Sequence, residues 1–255
     1  MITLSEYYTS LGYTPDRWHI GQEHPHLENY ALYLLRQLPR SRVLEIGFQA
    51  GGFAVPVIMK MQDRPDFLYV GIDNGAYPNA VHPSTIVGYL KQQKVKGEFY
   101  FHYGDVKDIL TRLTPQKFDL ILVDHSKPFY SREFYTISCN GFIAPGGYIL
   151  FHDVSEKAEA AWKECKLICQ AFGLSWQIVE DVPGGLAVVR LDETTLPKAG
   201  LRRLFARSQI KVILIGRSLR ESLRNMLGKV GRKRFKFLHS IGYGAGKDIH
   251  SSTKC

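Results

Sequence analysis

Asp73, Asp124 and the pair His152–Asp153 each close a short apolar run that reads as a β-strand. In open α/β sheets, ligands bind in the crevice beyond the carboxyl ends of the strands, so polar groups at those ends are candidates for chemistry. A carboxylate at the Asp73 position can accept both hydroxyls of a ribose. Asp124, His152 and Asp153 stand at the ends of consecutive strands, where they could face one crevice and hold a divalent cation. Hard oxygen ligands suit Mg²⁺, and an imidazole makes Mn²⁺, Fe²⁺ or Zn²⁺ easier to accept. A plainer reading has Asp153 capping a helix that begins near Ser155, with His152 neutral and hydrogen-bonded.

A glycine loop precedes these groups in the run Val43-Leu44-Glu45-Ile46-Gly47-Phe48-Gln49-Ala50-Gly51-Gly52-Phe53. Strand, Gly-rich turn and helix start follow one another there. Glycine lets a ligand approach the backbone and permits positive φ, and the helix start would aim N–H groups at an anionic or polar group. The spacing is G-x-x-x-G-G rather than the dinucleotide G-x-G-x-x-G, and a tight strand-to-helix turn would look the same. Asp73 follows Gly47 by one further strand. Gly104-Asp105-Val106, after the next, is placed to flank an adenine, although Asp105 equally suits the N-cap of a helix holding Ile109 and Leu113.

These groups need a scaffold that delivers strand ends to one edge. Strands are expected over 42–46, 67–73, 99–103, 118–124 and 148–152, with two more over 176–180 and 186–191. Helical patterns over 28–38, 53–61, 132–139 and 155–172 lie between them. That alternation implies βαβ units and a mostly parallel sheet. The turn-rich segment 181–185 suits a hairpin between the last two strands. Tyr8, Trp18, His19, Gln22, Glu23 and His26 precede the first sheet strand and read as a lid over the substrate or as packing on the sheet. Cys165 and Cys169, one helical turn apart with no matching Cys/His pair, read as buried thiols rather than a zinc site.

The 255 residues carry 33 Lys/Arg and 24 Asp/Glu with 45% hydrophobic residues, which excludes collagen-like, coiled-coil and wholly disordered classes. No apolar run approaches the roughly 18 residues of a membrane span. The N-terminus lacks the pattern of a signal peptide, and four cysteines are too few for a disulfide scaffold. A cytoplasmic setting is expected, with possible peripheral contact to a membrane. Charge is uneven: residues 193–255 hold 15 Lys/Arg and 3 Asp/Glu, a net of +12, which leaves residues 1–192 at −3. Leu219, Leu223, Met226, Leu227 and Val230 recur at helical spacing among arginines, and Arg232-Lys233-Arg234-Phe235-Lys236-Phe237 interleaves charge with aromatics. Such a segment can lie on an anionic membrane, bind RNA or form a solvated face.

Taken together, the quoted loop, Gly71-Ile72-Asp73, Gly104-Asp105, Leu122-Val123-Asp124-His125-Ser126-Lys127 and Pro145-Gly146-Gly147 through His152-Asp153 resemble the class I S-adenosylmethionine-dependent methyltransferases. The specific likeness is to the metal-dependent O-methyltransferases of the catechol O-methyltransferase type and related sugar and natural-product enzymes. It covers about residues 20–192 and includes the closing hairpin. The resemblance implies a Rossmann-like α/β sandwich: a seven-stranded, mostly parallel sheet with a C-terminal antiparallel hairpin, forming a catalytic domain over residues 41–192. A helical lid over residues 1–40 is expected before it, and the charge and spacing of residues 193–255 add a basic helical extension, partly disordered. S-adenosylmethionine would bind at Glu45, Gly47, Gly51, Gly52, Asp73 and Asp105, and a divalent metal, Mg²⁺ first, at Asp124, His152 and Asp153. Lys127 takes the place of the general base, provided desolvation or nearby positive charge lowers its pKa; His125, whose ordinary pKa is near neutral, is the alternative. Where the family often has a serine after the last loop glycine, this chain has Phe53, so the methionine carboxylate would fall to the backbone N–H groups of Gly51 and Gly52. The implied reaction is methyl transfer to a hydroxyl of a small molecule or sugar. Against it stand a nicotinamide-dependent oxidoreductase and a non-catalytic module that binds membrane or RNA through the basic tail.

Overall fold

The computed structural model describes residues 4–12, 24–64, 66–77, 80–113, 116–125, 130–154, 159–172 and 174–191, together with 215, 219 and 222. It divides into two units, Met1–Ala206 and Arg207–Cys255. In the first, helices α1 (Leu4–Ser10) and α2 (His24–Gln37) lead into strand β1 (Arg42–Ile46). Then follow α3 (Ala54–Met61), β2 (Leu68–Asp73), α4 (Pro83–Gln92), β3 (Glu98–Tyr103), α5 (Val106–Arg112) and β4 (Phe118–Val123). The unit closes with α6 (Tyr130–Asn140), β5 (Ile143–His152), α7 (Glu159–Phe172), β6 (Ser175–Val179) and β7 (Leu186–Arg190). Of the second unit, Ile215, Leu219 and Ser222 are helical; the other tail residues named above lie outside the described residues.

The seven strands form one sheet in the order β3-β2-β1-β4-β5-β7-β6. Strands β1 to β5 run parallel, and β7 pairs antiparallel with both β5 and β6. The strand order reverses between β1 and β4, which opens a crevice at their carboxyl ends. Every residue of β2 and β4 is buried, as a strand covered by helices on both faces requires. That is why Leu68–Ile72 and Leu120–Val123 read as apolar runs rather than alternating ones.

Two elements depart from the expected pattern. β5 begins at Ile143, five residues before the strand expected at 148, because Ile143 already pairs with Phe118 and the register shifts between Phe118 and Leu120. The Pro145-Gly146-Gly147 turn signal therefore marks an irregularity inside a strand. Gly147 sits there so tightly that a Cβ would lie 2.9 Å from both Ala144 O and Asp119 O. Helix α4 has no counterpart among the expected helices, since only Ile86, Tyr89 and Leu90 of it are buried and so narrow a stripe gives a weak period. Its start is nonetheless encoded, with Pro83 in the first turn and the His82 ring accepting from Ser84 N at 3.3 Å.

Candidate active site

At the carboxyl ends of β1, β2, β4 and β5 lies a cavity of about 720 Å³. Nine expected site residues line it: Glu45, Gly47, Gly52, Asp73, Asp105, Asp124, His125, His152 and Asp153. Gly51 stands behind the loop, and Lys127 lies outside the described residues. Of the expected lid residues, Tyr8 lines the cavity and His26 is exposed, while Trp18, His19, Gln22 and Glu23 lie outside the described residues.

The loop between β1 and α3 turns sharply, with positive φ at Gly47 (99°), Gln49 (47°) and Gly51 (79°). The protein's own backbone already demands glycine at position 47. A Cβ there would fall 1.9 Å from Asp124 O, because Asp124 N donates to Ile46 O and draws the two strand ends together. The Gly51 N–H closes a turn onto Phe48 O at 2.6 Å and is therefore not directed at a ligand. Gly52 and Phe53 carry the next N–H groups, at the start of α3.

Asp73 is buried, and both its oxygens serve the fold as well as the cavity. Oδ2 accepts from Gln49 N at 2.8 Å and Oδ1 from Gly75 N at 2.6 Å. A carboxylate oxygen has more than one acceptor site, so the same group can still take ribose hydroxyls. Asp105 does cap α5, accepting from Lys107 N at 2.8 Å, and it also lies 3.7 Å from Arg132 while lining the cavity. Glu45 is buried beneath the loop and accepts from the Tyr69 hydroxyl at 2.5 Å. Burial pushes its carboxyl well above the usual range; the Tyr69 bond opposes this, and the charges of Asp124 and Asp73 reinforce it.

On the other side of the cavity His152 bridges two oxygens. Its Nδ1 stands 3.2 Å from Asp124 Oδ1 and its Nε2 3.1 Å from Pro183 O. A carbonyl only accepts, so Nε2 carries a proton, and the carboxylate favours a second proton on Nδ1. Burial pulls the imidazole pKa down, but the Asp124 hydrogen bond and charge, Asp153 and the Pro183 carbonyl outweigh it and hold the ring at about 9. The neutral His152 of the sequence reading is thus an imidazolium at neutral pH. Asp153 adopts a left-handed φ of 60°, and its carboxylate lies where a Cβ on Gly184 would fall 2.3 Å from Oδ1. The start of the helix it was expected to cap lies outside the described residues.

The metal expectation does not match this arrangement. A ring with both nitrogens committed to protein oxygens has no lone pair to donate. Among the described residues no group of three His, Cys, Asp or Glu side chains is placed to hold a metal ion.

His125 makes a different contact. Its Nε2 pairs with Glu133, a carboxylate on the first turn of α6 that is 1% exposed and also meets Arg132 at 3.4 Å. A carboxylate on one ring nitrogen fixes the tautomer and leaves the other nitrogen as the basic one. Glu133 and Arg132, both lining the cavity, were not singled out in the sequence. Their only local signal is a position in the first turn of a helix that starts after the Asp124-His125 segment. Elsewhere, Cys165 and Cys169 are buried thiols on α7, the latter pushed by burial up to about 12.

Residues 44–154 match the family model described as a methyltransferase domain. No curated protein matches the chain. Among solved structures, the SAH-bound methyltransferase PaMTH1 of Podospora anserina superposes with a TM-score of 0.58 at 18% identity, over 74% of this chain and 88% of that one. The O-methyltransferase of Bacillus cereus in complex with SAH gives 0.55 at 15%, over 74% and 90%. The O-methyltransferase TomG of Streptomyces achromogenes, in complex with SAM, gives 0.51 at 17%, over 75% and 100%. At such identities the likeness is one of fold.

Proposed function

Because residues 44–154 match the family model of a methyltransferase domain, we propose that the protein transfers a methyl group from S-adenosylmethionine to a hydroxyl oxygen of a small molecule or sugar. One observation carries the cosubstrate: Asp73, at the end of β2, faces the cavity across the glycine loop with both oxygens anchored by backbone N–H groups. The donor and acceptor set fits. Asp73 would take the ribose hydroxyls, Asp105 and Val106 would flank the adenine, and the N–H groups at the start of α3 would meet the amino-acid carboxylate. When bound, this cosubstrate supplies a methyl carbon on a sulfonium sulfur; transfer to oxygen breaks the C–S bond, forms a C–O bond and leaves a neutral sulfide and one proton to be removed.

Proton removal falls to the loop after β4. His125, oriented by Glu133, is proposed as the base on the geometry, and Lys127 on the resemblance alone. The Asp124–His152 pair would hold the acceptor end polar and fixed in orientation. Such catalysis consists of positioning plus proton removal. No step is assigned to a metal, because His152 is committed to Asp124 and Pro183. The 15 Lys/Arg against 3 Asp/Glu of residues 193–255 support contact of that segment with an anionic membrane surface ahead of a nucleic acid, which co-sedimentation with anionic and neutral vesicles would test.

The deciding experiment titrates the protein with S-adenosylhomocysteine and with NADH. It then incubates the protein with a cell extract and an isotopically labelled methyl donor, and identifies labelled products by mass spectrometry. Binding of S-adenosylhomocysteine and a labelled methyl ether support the proposal. Binding of NADH alone would overturn it.

A further inference from the structure

The chain that leaves β2 is pinned on both sides of Tyr77. Just after the strand, Asp73 Oδ1 accepts from Gly75 N at 2.6 Å and Asn74 Oδ1 from Ala76 N at 2.9 Å. Just before α4, Val81 N donates to Gln49 O of the glycine loop at 3.0 Å, and Val81 O accepts from the Tyr103 hydroxyl at 2.7 Å. The Tyr77 carbonyl itself accepts from Ala80 N at 3.0 Å. Tyr77 is therefore set between the Asp73 carboxylate and the glycine loop by a backbone with little freedom.

The rings around it are of two kinds. Phe48 meets Phe101 edge-on at 5.1 Å and stacks on Tyr103 at 5.8 Å with 11° between the planes, so these three are engaged with one another. Tyr77 lines the cavity beside Asp73, Asn74 and Ala76, yet 52% of it is exposed. Tyr100 on β3 is exposed to the same extent but does not line the cavity. An aromatic face left to solvent at the wall of a cavity offers a flat ligand a large area to cover. The end of β2 is also far from the groups that would remove the proton. In the sheet order β1 stands between β2 and β4, which makes two strand spacings, or roughly 10 Å.

We propose that Tyr77 lays the face of its ring on the nucleoside of the cosubstrate, next to the ribose that Asp73 would hold. This rests on the methyltransferase reading above and adds to it a residue that touches the adenosine part alone. A neutral ring face at that end contributes equally to every ligand that carries the nucleoside, whatever else the ligand carries. Base–aromatic stacking needs the ring and not a hydrogen bond, so the phenolic hydroxyl is dispensable.

Isothermal titration with two probes tests this: S-adenosylhomocysteine, and 5′-methylthioadenosine, which has the nucleoside and thioether without the amino-acid end. Tyr77→Ala in the full chain should weaken both alike, by roughly five- to 100-fold. Tyr77→Phe should stay within about twofold of wild type for both, and Tyr100→Ala, equally exposed but outside the cavity, should leave both unchanged. Normal affinities in Tyr77→Ala, or a loss confined to S-adenosylhomocysteine, would overturn the contact. So would a loss of the same size in Tyr77→Phe or in Tyr100→Ala. Wild-type protein that binds neither probe would instead remove the methyltransferase reading itself.

Discussion

Asp73 has two duties, and a substitution there tests both. Asp73→Ala removes the ribose acceptor and should weaken S-adenosylhomocysteine by about 10–150-fold, the loss of about 1.5–3 kcal/mol in hydrogen bonds to a charged group. Because Gln49 N and Gly75 N would lose their acceptor as well, the melting temperature should fall too. A variant that melts lower but binds normally would confine Asp73 to loop structure. The base is tested on the same scale. His125→Gln should lower the initial rate of labelled-methyl incorporation into the extract's acceptors by about 10²–10⁴, and Glu133→Gln, which only orients the ring, by less. A loss of that size in Lys127→Ala with His125→Gln near normal would move the base to Lys127.

Among the elements, the junction of β1 with β4 leaves the least room. The two strand ends meet where Asp124 N donates to Ile46 O, and Gly47 has a φ of 99°. Gly47→Ala would put a methyl group inside the Asp124 carbonyl, whose oxygen lies 1.9 Å from the ideal Cβ position. Backbone offers no rotamer with which to yield, so the substitution should cost about 3 kcal/mol or more, at the high end for overpacking. Denaturant unfolding measures this; a variant of wild-type stability would show that the strand ends part easily. Gly141→Ala is the matched control, since Gly141 has a φ of 68° with nothing within 4 Å of its Cβ position.

For the molecule as a whole, the His152 bridge ties stability to pH. Its folded pKa, about 9, lies above the ordinary value of 6.5, so the folded state binds the proton more tightly than the unfolded state. The resulting stabilisation is fully present below about pH 6.5 and is lost as the pH rises through about 9. Melting temperatures measured across that window should fall with pH in the wild type and fall less in His152→Gln. The same bridge bears on the metal. With both ring nitrogens committed to Asp124 and Pro183, exhaustive chelation should leave methyl transfer intact. Turnover that disappears on chelation and returns with Mg²⁺ would show that the bridge opens to admit a metal.

The sequence alone determined the order of the strands and of most helices between them, α4 excepted, together with the glycine loop and the placing of Asp73, Asp124 and His152–Asp153 at strand ends. All of these depend on signals within a few residues: apolar runs for buried strands, glycines for turns, a capping group before a helix. Asp105 shows how local the signal is, since its capping of α5 is written in the next three residues. What only the tertiary structure decided are contacts across many positions. Glu45 meets the Tyr69 hydroxyl because the β1–β2 register sets Glu45 opposite Gly71, two residues along the same face from Tyr69. Glu133 reaches His125 because α6 packs on β5, the neighbour of β4, where Tyr130 and Phe134 meet the Phe151 ring. Pro183 reaches His152 because β7 runs antiparallel beside β5 and brings the hairpin turn over the site. Tyr7 finds Ala50 across 43 positions. No residue in such a pair carries a mark of its partner; sheet order and register choose it, because burying the apolar faces leaves few ways to arrange the strands.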